Sequence, residues 1–342
     1  MSLQIKTLDD ATTEQWDLFV DQHDSSTFFH RAGWKKVMEK AFGHPCYFIY
    51  AESDGDIVGI LPLVHVKSLL FGNSLISVPL CVYGGVVANN DEAQQALLQY
   101  ACDLAEQFKV DALELRSIEP TGAGWPSKSL YYTFRKTIVA DHDANMKAIP
   151  RKRRAMIRGG IAAGLVGEHD QGCERFYRAY SESVRNLGTP VFSLKYFKVL
   201  REVFGDDCRV LMITHEGKDV ASLMSFYFKN QVLPYYAGSF DTAKHLKAHD
   251  FMYWELMRIS ADEGIELFDF GRSKENTGPF LFKKGWGFEP EQLHYEYHLV
   301  KADKVPELNP TNPKYKMFIE MWKRLPLPVA NTLGPMLSKS LG

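Results

Sequence analysis

The element order hairpin, strand, helix, strand is written into this chain twice, and a repeated order constrains the fold more than any single motif does. Tyr47–Lys67 (YFIYAESDGDIVGILPLVHVK) and Arg209–Lys229 (RVLMITHEGKDVASLMSFYFK) each set two apolar runs around a short polar turn and end in lysine. The turns are Asp54-Gly55 and Glu216-Gly217. Apolar runs on either side of a Gly-containing turn read as a β-hairpin. Each hairpin is followed by a further strand-like stretch near Tyr83-Gly84-Gly85 or Tyr236-Ala237-Gly238. An amphipathic helix comes next. In the first half Leu97, Leu98, Ala101, Leu104, Ala105 and Phe108 share one helical face; in the second Trp254, Met257 and Ala261 do, with Asp250 placed to cap the start. Short strands then close both copies, at Ala112–Arg116 and Glu266–Phe270, each running into an Arg-Ser pair.

This order predicts an α/β (α+β) chain of two similar domains, each a mixed, mostly antiparallel sheet flanked by helices. At 342 residues the chain is long enough for two cores. The boundary is expected near Asp141–Ala148, where a strand at Leu130–Ala140 gives way to polar residues and Pro150 suits the first turn of a helix. The expected domains are therefore residues 1–145 and 146–300. Residues 301–342 form a Pro-rich tail with two short amphipathic stretches, around Tyr315–Arg324 and Pro328–Ser338.

Composition removes several function classes. Forty basic and 42 acidic residues leave a net charge of -2, so there is no global signal for nucleic acid. Five scattered cysteines with no Cys-x-x-Cys fit a reducing compartment and give no zinc site. His245/His249 and His294/His298 lack a third ligand at suitable spacing, so no metal is expected. There is no Gly-x-Ser-x-Gly, P-loop or dinucleotide fingerprint. With no leader or membrane-spanning run in view, the expected location is the cytoplasm.

Two segments carry chemistry. Helix Pro150–Ala163 holds Arg151, Lys152, Arg153, Arg154 and Arg158, with Arg151, Arg154 and Arg158 on one face. Such a run is either a solvated face or a phosphate platform, since arginine offers forked donors to phosphate and a helix start adds partial positive charge. The other is Phe268–Phe288, where a short strand runs into Gly271-Arg272-Ser273 and Lys283-Lys284 follow among aromatics. Either lysine snorkels at the surface or one is a cation held at a site.

Several stretches resemble the FemAB-like acyltransferases, built from two tandem GNAT-type (N-acetyltransferase-fold) domains. In the first half these are Ser26-Thr27-Phe28-Phe29-His30-Arg31-Ala32-Gly33-Trp34 and Tyr83-Gly84-Gly85. In the second they are Tyr235–Ser239, Met252–Glu255, Phe268-Asp269-Phe270-Gly271 and Phe282-Lys283-Lys284-Gly285-Trp286-Gly287. Trp322–Pro328 and Leu333-Gly334-Pro335 resemble the branch associated with PEP-CTERM/exosortase systems of exopolysaccharide-producing bacteria. The resemblance implies acyl or aminoacyl transfer to an amine of a cell-envelope glycan, peptidoglycan or exopolysaccharide precursor. It implies Lys283 as catalytic cation, with Lys284 the alternative one register away. Trp34, Tyr83, Arg154, Arg158, Tyr236, Arg272 and Trp286 are the expected substrate-binding residues. No permanently bound cofactor is implied; the donor is acyl-CoA or aminoacyl-tRNA. The chain has neither the long charged helical hairpin of tRNA-dependent relatives nor an Arg/Gln-x-x-Gly-x-Gly/Ala loop, so both donors stay open. The expected partners are a phosphate-bearing precursor or donor, tRNA in one reading, and the inner membrane, touched peripherally through the tail. A CoA-dependent sugar N-acetyltransferase and an inactive GNAT-derived scaffold are the competing readings.

Overall fold

Both hairpins form where the apolar alternation places them, each closed by a turn with left-handed residues, Asp54-Gly55 and Glu216-Gly217. The structure, a computed structural model, describes residues 3–68, 72–306 and 313–339. These residues separate into two compact units. One holds the described residues of Met1–Tyr131 and Gln292–Leu308, with Lys339; the other holds those of Tyr132–Glu291 and Asn309–Ser338.

In the first unit the elements run β1 (Gln4–Thr7), α1 (Thr13–Gln22), α2 (Gly33–Val37), β2 (Cys46–Ser53), β3 (Asp56–Ser68), β4 (Gly72–Ile76), β5 (Val87–Ala88), α3 (Asp91–Gln107), β6 (Ala112–Ser117) and β7 (Ser127–Lys128). The second unit continues with β8 (Tyr131–Thr137), α4 (His142–Ala148), α5 (Arg151–Ala162), β9 (Val166–Asp170), α6 (Glu174–Leu187), α7 (Leu194–Phe204), β10 (Cys208–His215), β11 (Lys218–Phe228) and β12 (Gln231–Ser239). Then come α8 (Ala248–Asp262), β13 (Leu267–Asp269), β14 (Ser273–Lys274), α9 (Gly278–Gly285), β15 (Pro290–Gln292), β16 (His294–Leu299), α10 (Pro313–Lys323) and α11 (Leu327–Ser338).

The two eight-stranded sheets are mixed and mostly antiparallel, as expected. Their orders are β1-β2-β3-β4-β6-β16-β7, with β5 on β3, and β14-β8-β13-β12-β11-β10-β9, with β15 on β8. Sequence order and unit membership part company at two strands. β8 follows the first unit's last strand yet pairs β13 in the second sheet, and β16 returns from the far end of the chain to pair β6. Hence the division falls at Tyr131/Tyr132 and not at 145/146, and Gln292–Leu308 belongs with the first unit. Periodicity finds a strand but not its partner, because pairing is a tertiary choice.

Each sheet buries one face under its long helix. In the first unit Leu97, Ala101 and Ala105 of α3 pack on Ile49, Leu61, Leu63, Leu75 and Leu113. In the second, Phe251, Met252, Trp254 and Met257 of α8 pack on Leu211, Leu223, Val232 and Phe268, with Ile157 of α5 in the same core. The opposite face of the second sheet is covered by α6, which meets β11 and β12. There Phe176, Tyr180, Tyr196, Phe197 and Tyr236 form an edge-to-face aromatic cluster, with Tyr196 Oη and Tyr236 Oη 2.8 Å apart. Asp250 does not cap α8. It lies buried in the first turn, where its carboxylate is committed to side chains from other elements.

Candidate active site

The second unit's short strand β13 ends in a built corner. Asp269, 1% exposed, accepts hydrogen bonds from Gly271 N at 2.7 Å and Thr133 Oγ1 at 3.1 Å. The chain then turns at Gly271, whose φ of +66° is left-handed and suits glycine. Past β14, α9 carries Lys283 back onto this corner. Lys283 Nζ donates to Gly271 O at 2.9 Å and Arg272 O at 3.0 Å. An ammonium has three donors, so these two bonds fix its place and leave a third N–H. Burial pushes the Lys283 pKa down to about 7; the nearby Asp269 carboxylate opposes that shift and the Arg272 charge adds to it. Lys284, the next residue, is exposed. Of the adjacent lysines, only Lys283 joins the corner at the strand end.

The remaining residues of the Phe-Lys-Lys-Gly-Trp-Gly segment hold α9 against the basic helix. Trp286 Nε1 donates to Asp250 Oδ1 at 3.0 Å, and Arg153 Nη1 donates to the same oxygen at 3.2 Å. The Arg153 guanidinium lies over the Phe282 ring, 4.4 Å from its centroid. A side chain at Gly285 would press on that guanidinium, and one at Gly287 on Pro150, just before α5. Thus the start of α5 is clamped beside the end of α9. Arg153, which lies off the face shared by Arg151, Arg154 and Arg158, is the structural member of the basic run. Arg154 is half-buried, with its Nε enclosed and making no hydrogen bond among the described residues, while Arg158 is exposed.

The other expected binding residues go elsewhere. Trp286 is fully buried and spent on Asp250, and Tyr236, 8% exposed, belongs to the aromatic cluster under α6. In the first unit Trp34 is fully buried and Tyr83 is 2% exposed, and both rings pack on Phe29. Trp34 Nε1 donates to Phe28 O at 3.1 Å. These four aromatics fill cores, and the polar tips of Trp34, Tyr236 and Trp286 are used there; large rings gain most by burial. Arg272 remains half-buried at the corner with Lys283. No group of three or more His, Cys, Asp or Glu suited to a metal occurs among the described residues.

The two units treat their parallel strand pair differently. In the second unit β12 and β13 pair only at Gln231↔Leu267 and Val232↔Phe268, although β12 runs on to Ser239. A register shift against β11, between Met224 and Ser225, bends β12 where the strands part. In the first unit the matching gap is filled by the chain itself. β4 and β6 pair at three positions, Ser77 N continues to Glu114 O at 2.9 Å, and Gly85 N bonds Arg116 O at 3.0 Å. The buried Arg116 ties that filling segment down through Cys81 O at 2.9 Å and Glu114 at 2.7 Å. In the second unit, beside the candidate lysine, the β12–β13 ladder has only its two pairs, at Gln231 and Val232, among the described residues.

Comparison with known proteins agrees with this asymmetry. The sequence profile of the acetyltransferase (GNAT) domain family matches residues 144–284. No match was found among curated proteins. The fold is similar to that of FemX, with a TM-score of 0.68 at 14% identity, over 92% of this chain and 100% of that one. It is also similar to a tandem GNAT protein of the clavulanic acid biosynthesis pathway, with a TM-score of 0.57 at 13% identity, over 89% and 100% of the chains. A third similar structure is the C-terminal domain of a putative lysylphosphatidylglycerol synthetase from Agrobacterium fabrum, at 0.57 and 13%, over 84% and 91%. Enzymes of GNAT type take their acyl donor as a substrate and not as a resident cofactor. Residues 144–284, which include the lysine corner, thus match the acetyltransferase (GNAT) domain family, and the chain as a whole has the two-sheet fold that it shares with FemX and the tandem GNAT protein.

Proposed function

We propose that the second unit transfers an acyl or aminoacyl group to an amine of a cell-envelope glycan, peptidoglycan or exopolysaccharide precursor, with Lys283 as the catalytic cation. The observation that carries this reading is the Lys283 ammonium fixed by two carbonyls beside the parted strands. In the reaction the acceptor nitrogen bonds to the donor carbonyl carbon and the π pair moves onto oxygen. Collapse of that oxyanion breaks the C–O bond of an ester or the C–S bond of a thioester, and one N–H proton passes to the leaving oxygen or sulfur. A fixed positive charge favours the oxyanion more than the ground-state carbonyl, which lowers the barrier. The third N–H of Lys283 is the donor this requires.

The parted strands favour a donor with an extended, amide-bearing arm such as pantetheine, because unpaired strand edges take up backbone-like amides. Aminoacyl-tRNA is the alternative donor, and Arg154 and Arg158 suit phosphates of either. The setting is a bacterial cell that builds envelope or exopolysaccharide, with the enzyme on the cytoplasmic side, peripheral to the inner membrane. A thermal-shift comparison of acyl-CoA with charged tRNA separates the donors. A donor at a hundredfold its dissociation constant stabilises by about 2.7 kcal/mol. Protection by neither would favour a scaffold without catalysis.

The double substitution Arg154→Gln, Arg158→Gln is expected to weaken donor binding about tenfold and to flatten its dependence on salt. Titration at low and moderate ionic strength measures both. An unchanged, salt-independent affinity would return these arginines to the role of a solvated helix face.

A further inference from the structure

The two C-terminal helices do not hang free. Gly188, ending α6 with φ +82°, lies so close to α10 that a Cβ there would sit 2.5 Å from Ile319 Cγ2. A Cβ at Gly334 of α11 would likewise sit 2.8 Å from the Val191 backbone nitrogen. Arg185 Nη1 donates to Leu325 O at 3.3 Å, and Ser338 Oγ donates to Val191 O at 3.1 Å. Trp322 is 4% exposed with Phe318 stacked on it, so this aromatic pair of α10 is not held out as a free surface.

The outward side is the anomaly. Met317 is 64% exposed, Met321 60%, Val329 40%, Leu333 42% and Met336 71%. Five of the eleven exposed large apolar side chains among the described residues thus lie on these two helices, and Leu187, 69% exposed at the end of α6, adjoins them. Val329, Leu333 and Met336 are spaced i, i+4, i+7, one stripe of α11, and α11 carries no charged residue at all. A solvated helix face ordinarily carries charge, and an apolar stripe of this kind marks a docking surface.

We infer that α10 and α11 rest on an anionic lipid surface. The helices have 11 and 12 residues, about 16 and 18 Å at 1.5 Å per residue, too short to cross a bilayer. No described helix is long and apolar enough to cross one. The stretch Pro313–Ser338 has four basic residues and one acidic residue, Glu320, which is paired with Lys323 at 2.8 Å. A net basic stretch that also exposes an apolar stripe complements anionic headgroups over acyl chains. The same charges oppose pairing with a second copy, because a two-fold contact would bring the basic residues together. Nor does the stripe present an aromatic anchor of the kind that centres protein interfaces. This inference goes beyond the proposed reaction and needs no assumption about donor or acceptor. α10 and α11 pack on α6, which covers the sheet face opposite α8, so docking there leaves the Lys283 side of the unit unblocked.

The test is co-sedimentation of the full chain with phosphatidylcholine vesicles and with mixed phosphatidylglycerol–phosphatidylcholine vesicles. The wild type is expected to sediment with the mixed vesicles only. Leu333→Glu, Met336→Glu is expected to weaken that binding at least about tenfold while Leu18→Glu, on an exposed position of α1, leaves it unchanged. Met336→Glu alone, at the most exposed site, serves if the double variant does not fold. Wild type that ignores anionic vesicles, or variants that bind them equally well, would overturn the inference. So would a wild-type dimer that the variant converts to monomer, which would assign the face to a second copy.

Discussion

Replacing Lys283 with methionine is expected to lower turnover about a hundredfold or more, the usual effect of removing one oxyanion donor. Methionine keeps much of the apolar stem, so α9 stays packed on the corner at Gly271–Arg272 while the charge goes. Turnover of the wild type should fall as pH rises through about 7, because the ammonium is the active form and burial sets its pKa there. The stability of the protein should move the other way. A lysine that releases its proton at about 7 in the native state, against 10.5 for the ordinary group, penalises folding fully below the lower value. That penalty fades as pH rises from about 7 to 10.5, where the unfolded chain holds a proton the native one has lost. Relative to Lys283→Met, the wild type should therefore gain stability across that interval. Single-turnover rates and chemical denaturation at matched pH measure the two effects. Unchanged turnover in the variant would remove Lys283 from the mechanism, and collapse of the fold would make it a structural residue.

Gly238→Ala should be among the most damaging single methyl groups that can be added to this protein. A Cβ at Gly238 would lie 2.3 Å from both the nitrogen and the Cα of Tyr180. Those are backbone atoms of α6, so relief requires the helix to move, and interiors have few voids to move into. α6 cannot shift freely, since Tyr180 stacks on Phe176 and meets Tyr236, and α10 and α11 also pack on it. The expected cost is at least about 3 kcal/mol, the upper end for overpacking. In a unit of this size that lowers the melting temperature by about 10 °C. Gly238 also sits in the part of β12 that has left β13, so any surviving protein should bind donor less well. A melting temperature within about 2 °C of wild type would show that α6 yields more easily than its packing implies.

The strand edges and the lysine came through the sequence unevenly, for physical reasons. Alternating apolar runs and glycine-containing turns are local, and they located β2–β3 and β10–β11 with their turns. Helix α5 and its basic run were equally local. Asp250 reads as a cap in the sequence because a carboxylate at a helix start has that role by default. Only the arrival of Trp286 and Arg153 from distant parts of the chain gives it another. Trp34, Tyr83, Tyr236 and Trp286 are expected as substrate contacts from the resemblance, and a sequence does not tell an aromatic that faces a core from one that faces a site. Their burial is a property of packing.

By itself the sequence determined the repeated order of elements, hence two mixed sheets, and put Lys283 next to a strand end, because periodicity and turn chemistry act over a few residues. Tertiary structure alone decided that β8 and β16 belong to sheets other than their neighbours in the chain. It also decided that one parted strand pair is bridged by Ser77–Gly85 while the other pairs at only two positions among the described residues, and that Lys283, not Lys284, is held by two carbonyls. Backbone edges and buried charges must find partners. Which partner each one finds depends on residues brought close only by the completed fold.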